Sequence, residues 1–166
     1  AAMRAKDPSH LLVAEFADTK GEDGLYRKYS AFFIGGRIVP RHVHFMQNWR
    51  LKMPDIATAA TLAEEDAFMS RVPYQDELRH LFALADIDYG RADFAFKDGR
   101  MQVWEINTNP TLTLLESDYV PGVLPTQKRF AALMVEALKE INLAPSTDSV
   151  PIRLRYPELA GRASLG

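Results

Sequence analysis

The sequence predicts an α+β domain, a mainly antiparallel sheet packed with helices. Two turn signals, Gly35-Gly36 and Asp98-Gly99, each separate a pair of apolar runs and so predict hairpins. Stretches with helical spacing fall between and after these hairpins rather than alternating one for one with the strands. That order favours α+β over a doubly wound parallel sheet. With 166 residues, 47% hydrophobic and 25% charged, the chain can bury a proper core as one ordinary domain.

In chain order, "HLLVAEF" predicts a buried strand from Leu11 to Phe16. After a polar turn, "LYRKYSAFFIGGRIVPRHVHF" predicts two strands joined by Gly35-Gly36, the second an edge or bulged strand because Pro40 lacks an N–H. A helix is expected from about Ile56 to Ser70, and a second with Pro73 as its first helical residue, running to Leu84. In the second, Tyr74, Leu78, Leu81, Phe82 and Ala85 make one apolar face. The Asp98-Gly99 hairpin follows, and then a last helix from about Pro125 to Asn142 with Phe130, Leu133, Met134, Ala137, Leu138 and Ile141 turned to the core. Residues 1–143 are read as the domain and 144–166 as a C-terminal extension.

Composition narrows the function classes. A net charge of -2 supplies no basic field for a phosphate backbone, so no nucleic-acid partner is expected. The absence of Cys excludes disulfides, thiolate metal sites and thiol nucleophiles, and suits a cytoplasmic location. No apolar run approaches the ~20 residues of a membrane span, so no membrane partner is expected either.

The chemistry-bearing stretch is "RADFAFKDGRMQVWEINTNP", Arg91 to Pro110. With a two-residue Asp98-Gly99 loop, Asp93 pairs with Trp104, and Asp93 and Glu105 face opposite ways. With a three-residue Lys97-Asp98-Gly99 loop, Asp93 pairs with Val103, and Arg91, Asp93, Glu105 and Asn107 share a face. The longer loop is preferred because it also gathers Phe94, Phe96, Trp104 and Ile106 on the other face. Asp93 and Glu105 are then diagonal neighbours about 7 to 8 Å apart at the backbone. Two carboxylates this close repel unless a cation, a shared proton or solvent intervenes. Oxygen ligands with an Asn carboxamide suit Mg²⁺ or Mn²⁺ better than Zn²⁺.

These residues resemble the C-terminal signature of the ATP-grasp enzymes, an Arg-x-Asp on one strand and Glu-x-Asn-Thr-x-Pro at the end of the next. The resemblance implies an ATP-grasp C-terminal subdomain in which Asp93, Glu105 and Asn107 hold Mg²⁺ against ATP and Arg91 contacts a phosphate. It further implies that Thr108 to Thr111 line the reacting end. "VAEF" is similar to the family's hinge strand, which gives adenine to Glu15, Phe16 and Ala17. Asp18, Glu22 and Asp23 compete for the ribose. "YRKYSAFFIGGRIVPRHV" looks like the strand pair after the hinge; the Gly35-Gly36 turn puts Lys28 and Arg41 on one face, where they could stabilise a transferring phosphoryl group.

The resemblance covers roughly Leu11 to Ile141. The family's lid subdomain and its substrate domain have no counterpart here, so the sequence is expected to be half of a longer protein, with a lid as its missing partner. The implied parent is a carboxylate–amine or carboxylate–thiol ligase acting through an acylphosphate on a small-molecule carboxylate and a nucleophile. The alternative is a non-catalytic nucleotide-binding or protein-interaction module. A hydrolase using the same carboxylates lacks an evident general base.

Other features are less specific. His42 and His44, at i and i+2 on a strand, face the same way and permit a metal site, although no third ligand is evident. Trp49 is read as a satellite-core residue, and "IRLRY" in the tail as a short strand.

Overall fold

The structure, a computed structural model, describes residues 14–50, 56–112 and 124–141. Four strands and three helices follow in the order β1 (Tyr26–Ile34), β2 (Arg37–Met46), α1 (Ala59–Arg71), α2 (Gln75–Leu84), β3 (Tyr89–Lys97), β4 (Arg100–Asn107) and α3 (Leu124–Ile141). The strands form one antiparallel sheet in the order β2-β1-β3-β4. This is the α+β architecture expected from the sequence.

Gly35 and Gly36, at φ 53° and 95°, close the β1–β2 hairpin with a two-residue loop, so that Ile34 faces Arg37. A Cβ on Gly35 would lie 2.3 Å from the Ile141 side chain, so this turn also needs glycine because α3 ends against it. β2 is an edge strand, and it is bulged: Ser30 faces His42 while Ala31 faces Pro40, leaving Arg41 as the extra residue. Both consequences expected of Pro40 are met in one strand.

The side chains of β1 divide the molecule. Tyr29 and Phe33 face α1 and α2, with Tyr29 against Phe68 at 5.3 Å and Phe33 stacked on Phe82 at 5.0 Å. Phe32, on the opposite face, meets Phe130 of α3 at 5.4 Å. Phe32, Phe82, Phe94 and Phe130 are fully buried and anchor the core.

Four expectations need correction. Ala14, Glu15 and Phe16 form no strand and are exposed; Phe16 packs edge-on against Trp49 instead of entering the core, while Leu11 to Val13 lie outside the described residues. The first helix begins at Ala59, where Thr58 and Thr61 form a reciprocal capping box. The second begins at Gln75 rather than Pro73, because Val72 and Tyr74 both adopt left-handed conformations at φ 41° and 68°. Of its expected apolar face, Leu78 and Phe82 are buried, whereas Tyr74 and Ala85 are exposed. The stretch "IRLRY" lies outside the described residues.

The fourth correction concerns β3 and β4. Lys97 faces Arg100, so the loop is the two-residue Asp98-Gly99, with φ 51° and 72° as a type I′ turn requires. Asp93 nevertheless faces Glu105, because β4 carries a bulge: Phe94 pairs with Val103, and Trp104 is the extra residue. The expected shared face exists, but a bulge creates it rather than a longer loop. Asp93 and Glu105 are direct cross-strand partners, not diagonal ones.

A Cβ on Gly99 would meet nothing within 4 Å, so Gly99→Ala tests the turn conformation alone. We expect a loss of about 1 kcal/mol in chemical denaturation from forcing a side chain into the left-handed region.

Candidate functional site

The two bulges align one row of side chains across the whole sheet on a single face: His42, Ser30, Asp93 and Glu105. Arg91 and Asn107 face each other in the next row, and Lys28 and His44 in the row on the other side. The four residues Arg91, Asp93, Glu105 and Asn107 therefore do share a face.

Asp93 is only 3% exposed. A carboxylate buried that far needs compensation, and three side chains from two strands supply it. Ser30 Oγ donates a short hydrogen bond to Oδ1. Lys28 Nζ lies 3.3 Å from Oδ2 and Arg91 Nε 3.1 Å from Oδ1. The Nε–H of Arg91 is not aligned on an acceptor, so that contact is an ion pair rather than a directed hydrogen bond. Arg91 Nη2 is also 3.4 Å from Asp93 Oδ2 and 3.9 Å from Glu105 Oε1. The guanidinium thus lies between the two carboxylates. Glu105, in contrast with Asp93, is largely open to solvent.

A cleft of about 1240 Å³ opens over this face. At one end it is lined by Lys28, Arg91, Asp93 and Glu105, and elsewhere by Glu15, Phe16 and Ala17 of the segment before β1. These seven residues, distant in sequence, are gathered in one concavity. Asn107 is not in the lining; its Oδ1 accepts the backbone N–H of Asn109 at 2.8 Å where the chain leaves β4. Thr108 and Thr111 are exposed beyond it.

Glu22 lies elsewhere, in a smaller recess of about 430 Å³ that also contains Asp23 and Arg27. Asp23 is clasped by Arg27 at 2.7 Å, whose hydrogen bonds hold its pKa down to about 2. Arg27 also reaches Glu64 of α1 at 2.8 Å and so fastens the 21–24 turn to that helix. Of the three acidic candidates after the hinge, Asp18 is the one that interacts with Tyr26. Burial and the Asp18 carboxylate together push the Tyr26 hydroxyl upward, and Tyr26 lines the cleft.

Lys28 and Arg41, expected together, do not both line the cleft. Lys28 enters the cleft, whereas Arg41 is buried over the Phe130 ring at 4.4 Å and does not line it. Burial raises the pKa of Glu65, while a hydrogen bond from the Val43 backbone and the charge of Arg41 act to lower it.

His42 and His44 do face the same way, with rings stacked in parallel 3.7 Å apart. Burial depresses both, reinforced at His42 by His44 and Arg41 and at His44 by Lys28 and Arg41. His42 lies well below its ordinary 6.5 and His44 at about 4. Among the described residues, no three His, Asp or Glu side chains cluster as metal ligands.

Sequence reasoning missed several cleft residues: Thr19, Tyr26, Trp49, Arg50 and Trp104. Trp49 is 59% exposed at the cleft rather than in a satellite core, and Trp104 is 40% exposed there rather than on the apolar face with Phe94. A large aromatic directly before Glu105 is the available signal, but periodicity assigns it to the wrong side.

No protein-family model matches the sequence, and no curated protein matches it. Two solved structures of D-alanine–D-alanine ligase from Bacillus anthracis are similar. One, complexed with ATP, is 19% identical with a TM-score of 0.35; the other is 21% identical with a TM-score of 0.34. Each similarity covers 69% of this chain and 38% of the ligase. No helix among the described residues is long and apolar enough to cross a membrane.

The histidine pair gives the folded chain a definite pH dependence. Both imidazoles titrate near 6.5 when unfolded and far lower when folded, so the unfolded chain binds more protons between those values. Their stabilisation is complete above about pH 6.5 and is lost as the pH falls towards 4, by at most about 1.4 kcal/mol per pH unit for each histidine. The urea midpoint is expected to drop from pH 7 to pH 5, and to drop less in a His42→Gln/His44→Gln double variant.

Proposed function

We propose that this chain is the ATP- and Mg²⁺-binding half of an ATP-grasp ligase that joins a carboxylate to an amine or thiol through an acylphosphate. The observation that carries the reading is the single cleft that joins Glu15, Phe16 and Ala17 to Lys28, Arg91, Asp93 and Glu105. Its charged end contains Arg91, Asp93 and Glu105 of the Arg-x-Asp and Glu-x-Asn-Thr-x-Pro stretches that resemble the family signature.

On this reading the segment 15–17 receives adenine, Asp18 is better placed than Glu22 for the ribose, and the phosphates extend towards Lys28 and Arg91. The donor set fits a hard divalent cation: two carboxylates on adjacent strands, with the Asn107 carboxamide one row away. Bound there, such a cation would supply positive charge to offset that of the phosphates.

Arg91 has a double part in this scheme. Lying between Asp93 and Glu105, it balances their repulsion. With a divalent cation held by the two carboxylates, Arg91 would be free to contact a phosphate. Lys28, 3.3 Å from Asp93, stays as a cation beside the phosphoryl group in transfer. A substrate carboxylate oxygen attacks the γ-phosphorus, ADP departs, and the nucleophile then displaces phosphate from the acylphosphate. Arg41, buried over Phe130, is a support for β2 in this scheme rather than a phosphate contact.

Calorimetry of ADP binding with and without Mg²⁺ tests the reading. Binding should require Mg²⁺ and weaken about tenfold or more in folded Asp93→Asn and Glu105→Gln variants, a loss of about 1.4 kcal/mol or more. Folded wild-type protein that fails to bind ADP with Mg²⁺, or variants that bind as tightly as wild type, would overturn it.

A further inference from the structure

The groups around Asp93 differ in kind. Lys28 Nζ at 3.3 Å and Arg91 Nε at 3.1 Å make ion pairs with it, and two cations already offset one buried carboxylate. The Arg91 Nε–H is not aligned on an acceptor, so that pair does not fix how the carboxylate is turned. Direction comes from Ser30 Oγ, which donates to Oδ1, and from Arg91 Nη2, 3.4 Å from Oδ2. Ser30 adds no charge. Its hydroxyl orients the anion rather than neutralising it.

The backbone supports that role. Ser30 is fully buried and faces Asp93 directly across the β1–β3 ladder, which runs without a break. Its hydrogen bond ties Oδ1 towards β1. Oδ2 is the oxygen that shares Arg91 Nη2 with the second carboxylate, since Glu105 Oε1 lies 3.9 Å from the same nitrogen.

A carboxylate can give a divalent cation one oxygen or both. Ca²⁺ takes more oxygens in a flexible geometry and often uses both, whereas Mg²⁺ demands a near-octahedral set. An oxygen that already accepts a hydroxyl is the weaker ligand and is not free to turn towards the ion. We propose that Ser30 is a positioning residue for the cation: by engaging Oδ1 it leaves Asp93 one oxygen to offer, Oδ2, and so makes the site prefer Mg²⁺ to Ca²⁺. This rests on the nucleotide reading above and adds to it the residue that selects the ion.

Calorimetry of ADP binding to the full chain, with Mg²⁺, with Ca²⁺ and with neither, tests this in wild type, Ser30→Ala, Ser30→Cys and Ser30→Thr. The readout is the ratio of the Mg²⁺ to the Ca²⁺ affinity, because the nucleotide's own preference between the ions is common to every variant and cancels. Wild type should bind ADP at least about tenfold more tightly with Mg²⁺ than with Ca²⁺. Ser30→Ala removes the donor and Ser30→Cys replaces it with a weak one, and each should lower that ratio about tenfold. Ser30→Thr keeps the hydroxyl and should keep the ratio.

A wild-type ratio in Ser30→Ala, whether the two affinities hold or fall together, overturns the positioning role and leaves the nucleotide reading standing. A wild type that binds ADP equally well with either ion does the same, as does a Ser30→Thr ratio as low as that of Ser30→Ala. Wild type that does not bind ADP, or binds it without any divalent ion, overturns both readings. If Ser30→Ala fails to fold, Ser30→Cys decides.

Discussion

A carboxylate buried in the middle of a four-stranded sheet has to be surrounded by donors, and the arrangement of this molecule follows from how Asp93 meets that requirement. Charge removed from water costs several kcal/mol unless it is paired and hydrogen-bonded. Asp93 draws Ser30 and Lys28 from β1 and Arg91 from its own strand, so the two central strands converge on one oxygen pair. Because Ser30 and Lys28 are two residues apart, they can both serve Asp93 only if β1 stays regular. The irregularities are displaced to the outer strands: β2 bulges at Arg41 and β4 at Trp104, while the β1–β3 ladder has no break.

The same concentration of cations decides the state of the histidines. Lys28, Arg41 and Arg91 all bear on His42 and His44, so protonating either ring would add charge to a face already held positive around one buried anion. Neutral imidazoles can stack in parallel at 3.7 Å, whereas two imidazolium rings there would repel. The pair therefore fills the polar face near the edge strand without competing for Asp93.

Much of the fold was legible in the sequence, because its main turns are written in residue types with one structural use. Gly-Gly and Asp-Gly demand positive φ, and Pro40 excludes a central strand. The acidic pair was legible for a different reason than the true one. Parity along β3 and β4 was broken twice, by a shorter loop and by an inserted Trp104, and the two changes cancel for Asp93 and Glu105. They do not cancel for Trp104, which is why that residue was placed on the wrong face. Periodicity cannot register a bulge, since one extra residue leaves no compositional trace. The strand expected to end at Phe16 departs from the structure for a related reason: an apolar run predicts burial but not the element that buries it, and here Phe16 packs on Trp49 at the cleft.

The balance of charge in the cleft bears on what it can hold. Lys28, Arg50 and Arg91 oppose Glu15, Asp93 and Glu105 in its lining, so the formal charges cancel. A bare polyphosphate would gain little from the net field and would meet Asp93 and Glu105 as repulsion. A complex that carries its own cation is separated in charge, as the lining is: cation to the two carboxylates, phosphate oxygens to Lys28 and Arg91. On the proposed reading, the preference for a metal–nucleotide complex over the free nucleotide follows from this alternation. On that reading Arg91 joins the two sets of charge, since among the lining cations it is the one in contact with both carboxylates.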